Sequence, residues 1–176
     1  MKKDISLWQY TGFVFTAVFG TLLHFLYDWT GGSILAAPFS AVNESTWEHM
    51  KLLYFPMLAF ALIQSRFFRE RRDFWCIKLA GLLTGLALIP ILFYTLGGVF
   101  GGTPDWVNIT IFFISAAIAF LVETRLFKGD GLPCRVPFIA VAVIVLIGIL
   151  FVVFTFWTPQ IPLFRDPISG SYGIGD

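Results

Sequence analysis

Five stretches of this chain, at about 8–27, 47–65, 75–99, 106–127 and 136–157, are long and apolar enough to cross a bilayer as helices. About 30 Å of hydrocarbon needs roughly 20 helical residues. A backbone in lipid has no water to bond with, so it must close its own hydrogen bonds, which selects helices over open strands. No alternating pattern of the outer-membrane-barrel kind is present. The expected fold is an all-α membrane protein: a single transmembrane domain over 1–176, a bundle of about five transmembrane helices, with an outer tail at 158–176. Only 13% of residues are charged, against roughly 25% in soluble domains, so lipid must solvate much of the exterior. The formal net charge of +1 argues against a nucleic-acid partner, because little here can neutralise a run of phosphates. The first apolar run exceeds the roughly 7–15 residues of a signal-peptide core and is read as a retained span.

Basic residues set the expected orientation. Lys2 and Lys3 precede the first span; Arg66, Arg69, Arg71, Arg72 and Lys78 lie between the second and third; Arg125, Lys128 and Arg135 lie between the fourth and fifth. Threading the chain back and forth puts all three groups on one side, which the positive-inside rule makes cytoplasmic. The N-terminus is then inside and the C-terminus outside. Trp8, Trp47, Trp75, Trp106 and Trp157 mark span ends, where an indole sits well between headgroups and hydrocarbon. Cys76 and Cys134 fall on the cytoplasmic side, so both are expected as free thiols.

Other features are read as packing. Gly81 and Gly85, four apart, predict a close internal helix contact. Pro56 and Pro90 each remove a backbone N–H within a span. The fifth span carries no polar stripe and is expected to face lipid. An odd number of spans argues against inverted repeats within one chain. With no polar stripe along any span, and Glu123 near the inner end of the fourth, close to Arg125 and isolated from the outer cluster, a channel or transporter is the least favoured class.

The outer side holds Asp28, Glu44, Glu48, Asp105, Asp166 and Asp176, with Lys51, Arg165 and both histidines. His24 and Asp28 share a helix face four residues apart. Glu48 and His49 open the second span at a similar depth. Two imidazoles and a carboxylate can hold a divalent metal such as zinc with a position left for water, and bound zinc makes that water a nucleophile near neutral pH. The metal candidates are His24, Glu48 and His49. Asp28 or Glu44 is the candidate to orient a ligand or act as general base. Asn43, Lys51 and Arg165 are the candidate substrate-binding groups, Lys51 suiting an anionic group such as a lipid phosphate. A structural account uses the same residues. Ser45-Thr46-Trp47-Glu48 reads as a capping box, Glu44 favours a helix N-terminus, and Lys51 pairs with Glu48 or Asp28. The first outer loop, about 28–46, is long and partly apolar, which predicts a re-entrant or interfacial segment. Pro159, Pro162, Pro167 and Gly170 predict a turn-rich tail able to fold back as a lid.

His24-Phe25-Leu26-Tyr27-Asp28-Trp29, Asn43-Glu44-Ser45-Thr46-Trp47-Glu48-His49 and Arg165-Asp166-Pro167 resemble an uncharacterised family of small bacterial multi-pass membrane proteins, a domain of unknown function. The resemblance covers essentially the whole chain and implies a bacterial inner or plasma membrane and this architecture. A looser similarity, to membrane hydrolases such as the alkaline ceramidases, rests on histidines and acids near one face. The chain departs from that pattern in having two histidines, no His-x-x-x-His in a last helix, and five spans in place of seven. Two functional readings follow. One is metal-assisted hydrolysis or binding of a lipid or small solute, with membrane lipids as partners. The other is a non-enzymatic accessory or structural membrane protein, associating with another membrane protein or a second copy, whose outer cluster is capping and ion pairing.

Overall fold

The computed structural model describes residues 2–102 and 104–174. Residues 175–176 of the expected tail, Thr103 in the glycine-rich loop, and the side chains of Lys2, Lys3 and Asp105 lie outside that description. Five helices form in order: α1 Lys2–Trp29, α2 Thr46–Ser65, α3 Phe74–Phe100, α4 Asp105–Lys128 and α5 Pro137–Phe156. A single 3-10 turn, Pro162–Phe164, follows. α1 begins ahead of Trp8, because nothing between Lys2 and Trp8 breaks a helix.

The helices alternate in direction. Trp8 in α1 meets Phe68 beyond the end of α2, with ring centroids 6.1 Å apart. Lys78 near the start of α3 meets Glu123 near the end of α4, and Lys51 near the start of α2 meets Thr155 near the end of α5. The bundle therefore has two chemically different ends, a basic end and a histidine end.

Four helices, α1, α3, α4 and α5, are both long and apolar enough to cross a membrane. α2 has the length, about 30 Å for its 20 residues, but it carries Glu48, Lys51 and Gln64. Its position explains this: α2 packs against every other helix and buries eleven residues, so its polar face meets protein rather than lipid. α5 is the reverse. Phe138, Ile139, Val145, Leu146 and Ile149 are exposed along it.

The core gathers Leu52, Leu53 and Phe60 of α2, Leu86 of α3, Phe112 and Phe120 of α4, and Phe151 of α5. Close approach depends on small residues. A Cβ on Gly85 would stand 2.6 Å from Leu53 Cδ2, and one on Gly81 would stand 2.7 Å from Glu123 Oε1. The Gly81–Gly85 face is thus internal packing between α3 and its neighbours. Gly20 of α1 meets the Leu52 carbonyl in the same way, at 2.8 Å. Pro56, four residues after Leu52, has no N–H to bond that carbonyl, so α1 packs onto an oxygen that α2 leaves free.

Two expectations fail at the basic end. Cys76 and Cys134 are not free thiols: they form a disulfide with Cα atoms 6.1 Å apart, within bonding range. The reading from compartment alone missed what draws the two segments together. Arg71 forms a two-pronged pair with Asp73, both contacts at 2.9 Å, and donates to the Phe127 carbonyl. Asp73 accepts from the Leu132 amide at 3.3 Å. Lys78, grouped by sequence with the cytoplasmic loop, is buried inside α3, where it pairs at 2.6 Å with Glu123, far from the outer cluster as expected. The ammonium also sits 5.7–5.8 Å from the ring centroids of Phe60, Phe74, Phe120 and Phe127, a cage of electron-rich faces. Trp47 differs from an interfacial anchor too. It packs on Phe151 and Phe164 at 4.5 and 4.6 Å, whereas Trp29, Trp106 and Trp157 are exposed.

Candidate functional site

At the histidine end, α1 stops where Gly31 and Gly32 take left-handed conformations, φ 64° and 77°, which cost glycine nothing. The chain then makes tight turns through 33–40 and dips into the bundle, burying Ala36, Ala37, Ser40 and Ala41 while exposing Ile34 and Leu35. Ser40 fixes this loop to α1. Its hydroxyl donates to the Leu23 carbonyl at 2.6 Å and accepts from the Tyr27 amide at 2.8 Å. These two groups pair directly in a regular helix. Ser40 therefore bridges the turn of α1 that carries His24, and nothing in the local sequence announces that role.

Ser45 caps α2, its hydroxyl accepting from the Glu48 amide at 3.4 Å. The other half of the expected capping box is absent. Asn43 Oδ1 takes the Ser45 amide at 2.9 Å, and Glu48 turns inward. Glu48 accepts from the Val42 amide at 3.0 Å and pairs with Lys51 at 2.6 Å. Lys51 is fully buried and also donates to the Ala37 carbonyl and Thr155 Oγ1, both at 2.9 Å. Of the two partners expected for Lys51, Glu48 is the one it meets. All three protons of the ammonium are engaged, so it presents no free donor to a substrate.

The carboxylate between the histidines is Glu44. Its Oε1 lies 3.7 Å from His24 Nε2 and its Oε2 lies 3.5 Å from His49 Nε2. Ligand atoms of His24, Glu44 and His49 all fall within 4.8 Å of one another, and the two rings meet edge to face at 5.6 Å. Glu48, placed with the histidines on sequence grounds, points elsewhere because Lys51 lies one turn along the same helix face. Glu44 precedes the cap, where helical periodicity gives no direction. His49 Nδ1 lies 3.0 Å from the Ser45 carbonyl. A carbonyl only accepts, so Nδ1 carries the proton, and in the neutral ring Nε2 offers a lone pair toward Glu44.

The tail folds back over this end. Phe164 packs on Trp47, Arg165 and Tyr172 form an isolated bridge, and Asn43 Nδ2 donates to the Gly173 carbonyl at 3.2 Å. A polar cleft of about 240 Å³ results, lined by His24, Asp28, Asn43, Glu44, Asp166 and Ser171 among others. Arg165 is exposed and is not among its lining residues. Both Asn43 amide atoms are used in holding cap and tail.

A family model for a family of unknown function, DUF6512, matches residues 1–174. The chain belongs to that family. No curated protein and no solved structure matches it. Membership in DUF6512 brings no activity, so chemistry must be argued from the side chains. Two ligands at about 2.0–2.1 Å on a tetrahedral zinc lie roughly 3.3 Å from each other. The two imidazole–carboxylate separations are close to that value and longer than a good hydrogen bond. An Nε2 lone pair facing a carboxylate oxygen is an arrangement that a cation between them stabilises. The Nδ1–H to carbonyl bond of His49 is the second contact that orients metal-binding imidazoles.

Proposed function

We propose that the protein is a membrane-embedded metal centre in which His24, Glu44 and His49 hold a divalent cation such as zinc and leave a position for water. The observation that carries this reading is the convergence of His24 Nε2 and His49 Nε2 on the two oxygens of one carboxylate, at 3.7 and 3.5 Å. The chemistry such a centre supplies is water activation and polarisation of a carbonyl or phosphoryl oxygen. Asp28, exposed and lining the same cleft, is the group to take the proton from that water. On the positive-inside rule the basic end faces the cytoplasm and the metal centre the outer side of the membrane, a bacterial inner or plasma membrane being what the sequence resemblance implies.

Cobalt(II) titration of the purified protein tests the reading. A stoichiometric tetrahedral visible spectrum, lost in His24→Ala and Glu44→Ala, is expected. A spectrum unchanged in both variants contradicts it.

A second reading, a non-enzymatic accessory protein, draws on the Glu48–Lys51 pair, whose contacts with the loop and α5 are structural. A stable complex with another membrane protein, isolated in gentle detergent together with a metal-free wild type, would favour it.

A further inference from the structure

His24 belongs to two clefts of opposite character. One is the polar cleft under the tail. The other, about 100 Å³, lies between α1, α2 and α4 and is lined by Gly20, Thr21, Phe25, Leu52, Ile109 and Phe112, together with His24 and His49. Thr21, Phe25 and Ile109 are exposed on the flank of the bundle, within segments apolar enough to span a membrane, so this cleft opens sideways toward lipid. Thr21 spends its hydroxyl on the Ala17 carbonyl and presents a methyl group.

Depth matches a lipid. His24 stands five residues before Trp29, roughly 8 Å along the helix. The headgroup region on each side of a bilayer is roughly 5–8 Å thick. With the exposed Trp29 indole between headgroups and hydrocarbon, the imidazole lies on the acyl side of that boundary, open to a chain from the lipid side and to a head through the polar cleft. Charge narrows the head. Among the described residues the polar cleft is lined by Asp28, Glu44 and Asp166 and by no lysine or arginine, and Lys51 is consumed by Glu48. Three carboxylates outweigh the two charges of a divalent cation held there, so an anionic head is repelled, a neutral one tolerated and a cationic one attracted.

We infer that the molecule handled at this centre is an acyl amphiphile whose head ends in an uncharged or cationic group, its chain in the α1–α2–α4 cleft and its head in the polar cleft. This rests on the metal-centre reading, because His24 lines both clefts, with His49 in the apolar one and Glu44 in the polar one. The expectation that Lys51 selects an anionic group is replaced.

Photo-crosslinking tests it. The full chain in nanodiscs is exposed to lysophosphatidylcholine bearing a diazirine on its chain, and separately to lysophosphatidic acid with the same chain, whose head ends in an anionic phosphate. Metal content is measured on the same samples. Labelling is expected in the peptides containing Gly20–Phe25 and Ile109–Phe112, stronger with the choline probe. In Ile109→Trp, whose indole fills the cleft from the lipid side, it should fall to the level seen on the exposed face of α5 with metal unchanged. Asp28→Lys should reverse the preference between probes. Even labelling around the bundle, equal labelling by both probes, or labelling indifferent to Ile109→Trp overturns the inference. Specific labelling of a protein that holds no metal overturns the metal-centre reading and leaves the amphiphile site standing.

Discussion

Lys51 is a cation with no exposed surface in the middle of a helix bundle, held by Glu48, the Ala37 carbonyl and Thr155. Removing one member of such a pair leaves the other buried and uncompensated, at about 3–5 kcal/mol. Lys51→Met should therefore lower thermal stability in detergent sharply, while Lys51→Met combined with Glu48→Leu recovers much of the loss. A double variant no better than the single one would show that the contacts to Ala37 and Thr155 matter more than the pair. Asp73 gives a pH signature at the other end. The hydrogen bonds from Arg71 hold its carboxyl below the usual carboxylate range, helped by the Leu132 amide and opposed by partial burial. A depressed folded value means stability fully present above the unfolded value of about 3.9 and lost as pH falls through the lower, folded one. Melting curves of Asp73→Asn should show a smaller acid loss than wild type below about pH 4. At this scale the histidines were legible as candidates because ionisable groups are costly inside a membrane, and Glu44 only as a carboxylate nearby. Which acid faces them was not, since Glu44 lies before the helix cap and Glu48 is drawn to Lys51.

Between elements, the contact of Gly20 with the Leu52 carbonyl is the most demanding. A side chain there meets both that oxygen and Phe112 Cζ, 2.5 Å from a built Cβ. Gly20→Val should wedge α1 from α2 and α4 and destabilise the protein by about 1–3 kcal/mol, with metal binding weakened because His24 lies one turn beyond. Unchanged melting and metal affinity would mean that α1 is not seated as described. The helices were readable from hydropathy, because hydrocarbon leaves a backbone no alternative. The inward dip of the 30–45 loop was foreshadowed by its apolar residues, but Ser40 bridging Leu23 and Tyr27 has no local signal. Neither has the pairing of Lys78 with Glu123, which depends on α3 and α4 being neighbours and on Gly81 leaving room.

The whole molecule is a bundle with different chemistry at each end: a staple of Cys76–Cys134 and Arg71–Asp73 at the basic end, and two histidines under a folded tail at the other. Sidedness decides what the staple does. The structure shows the bonded form; if the basic end is cytoplasmic, thiols there are kept reduced, and trapping in intact cells should find Cys76 and Cys134 open, closing on exposure to oxidant. A pair bonded in untreated cells would put the basic end on the oxidising side and invert the topology. A periplasm-dependent reporter fused to the C-terminus should be active in the first case and silent in the second.

The chemistry proposed for the histidine end turns on a metal held by His24, Glu44 and His49. Elemental analysis of the protein purified in mild detergent without chelator tests it most directly, beside His24→Ala, His49→Ala and Glu44→Gln. Near-stoichiometric divalent metal is expected in the wild type and its loss in the two histidine variants, with Glu44→Gln strongly depleted. A metal-free wild type, or metal retained in all three variants, would contradict it.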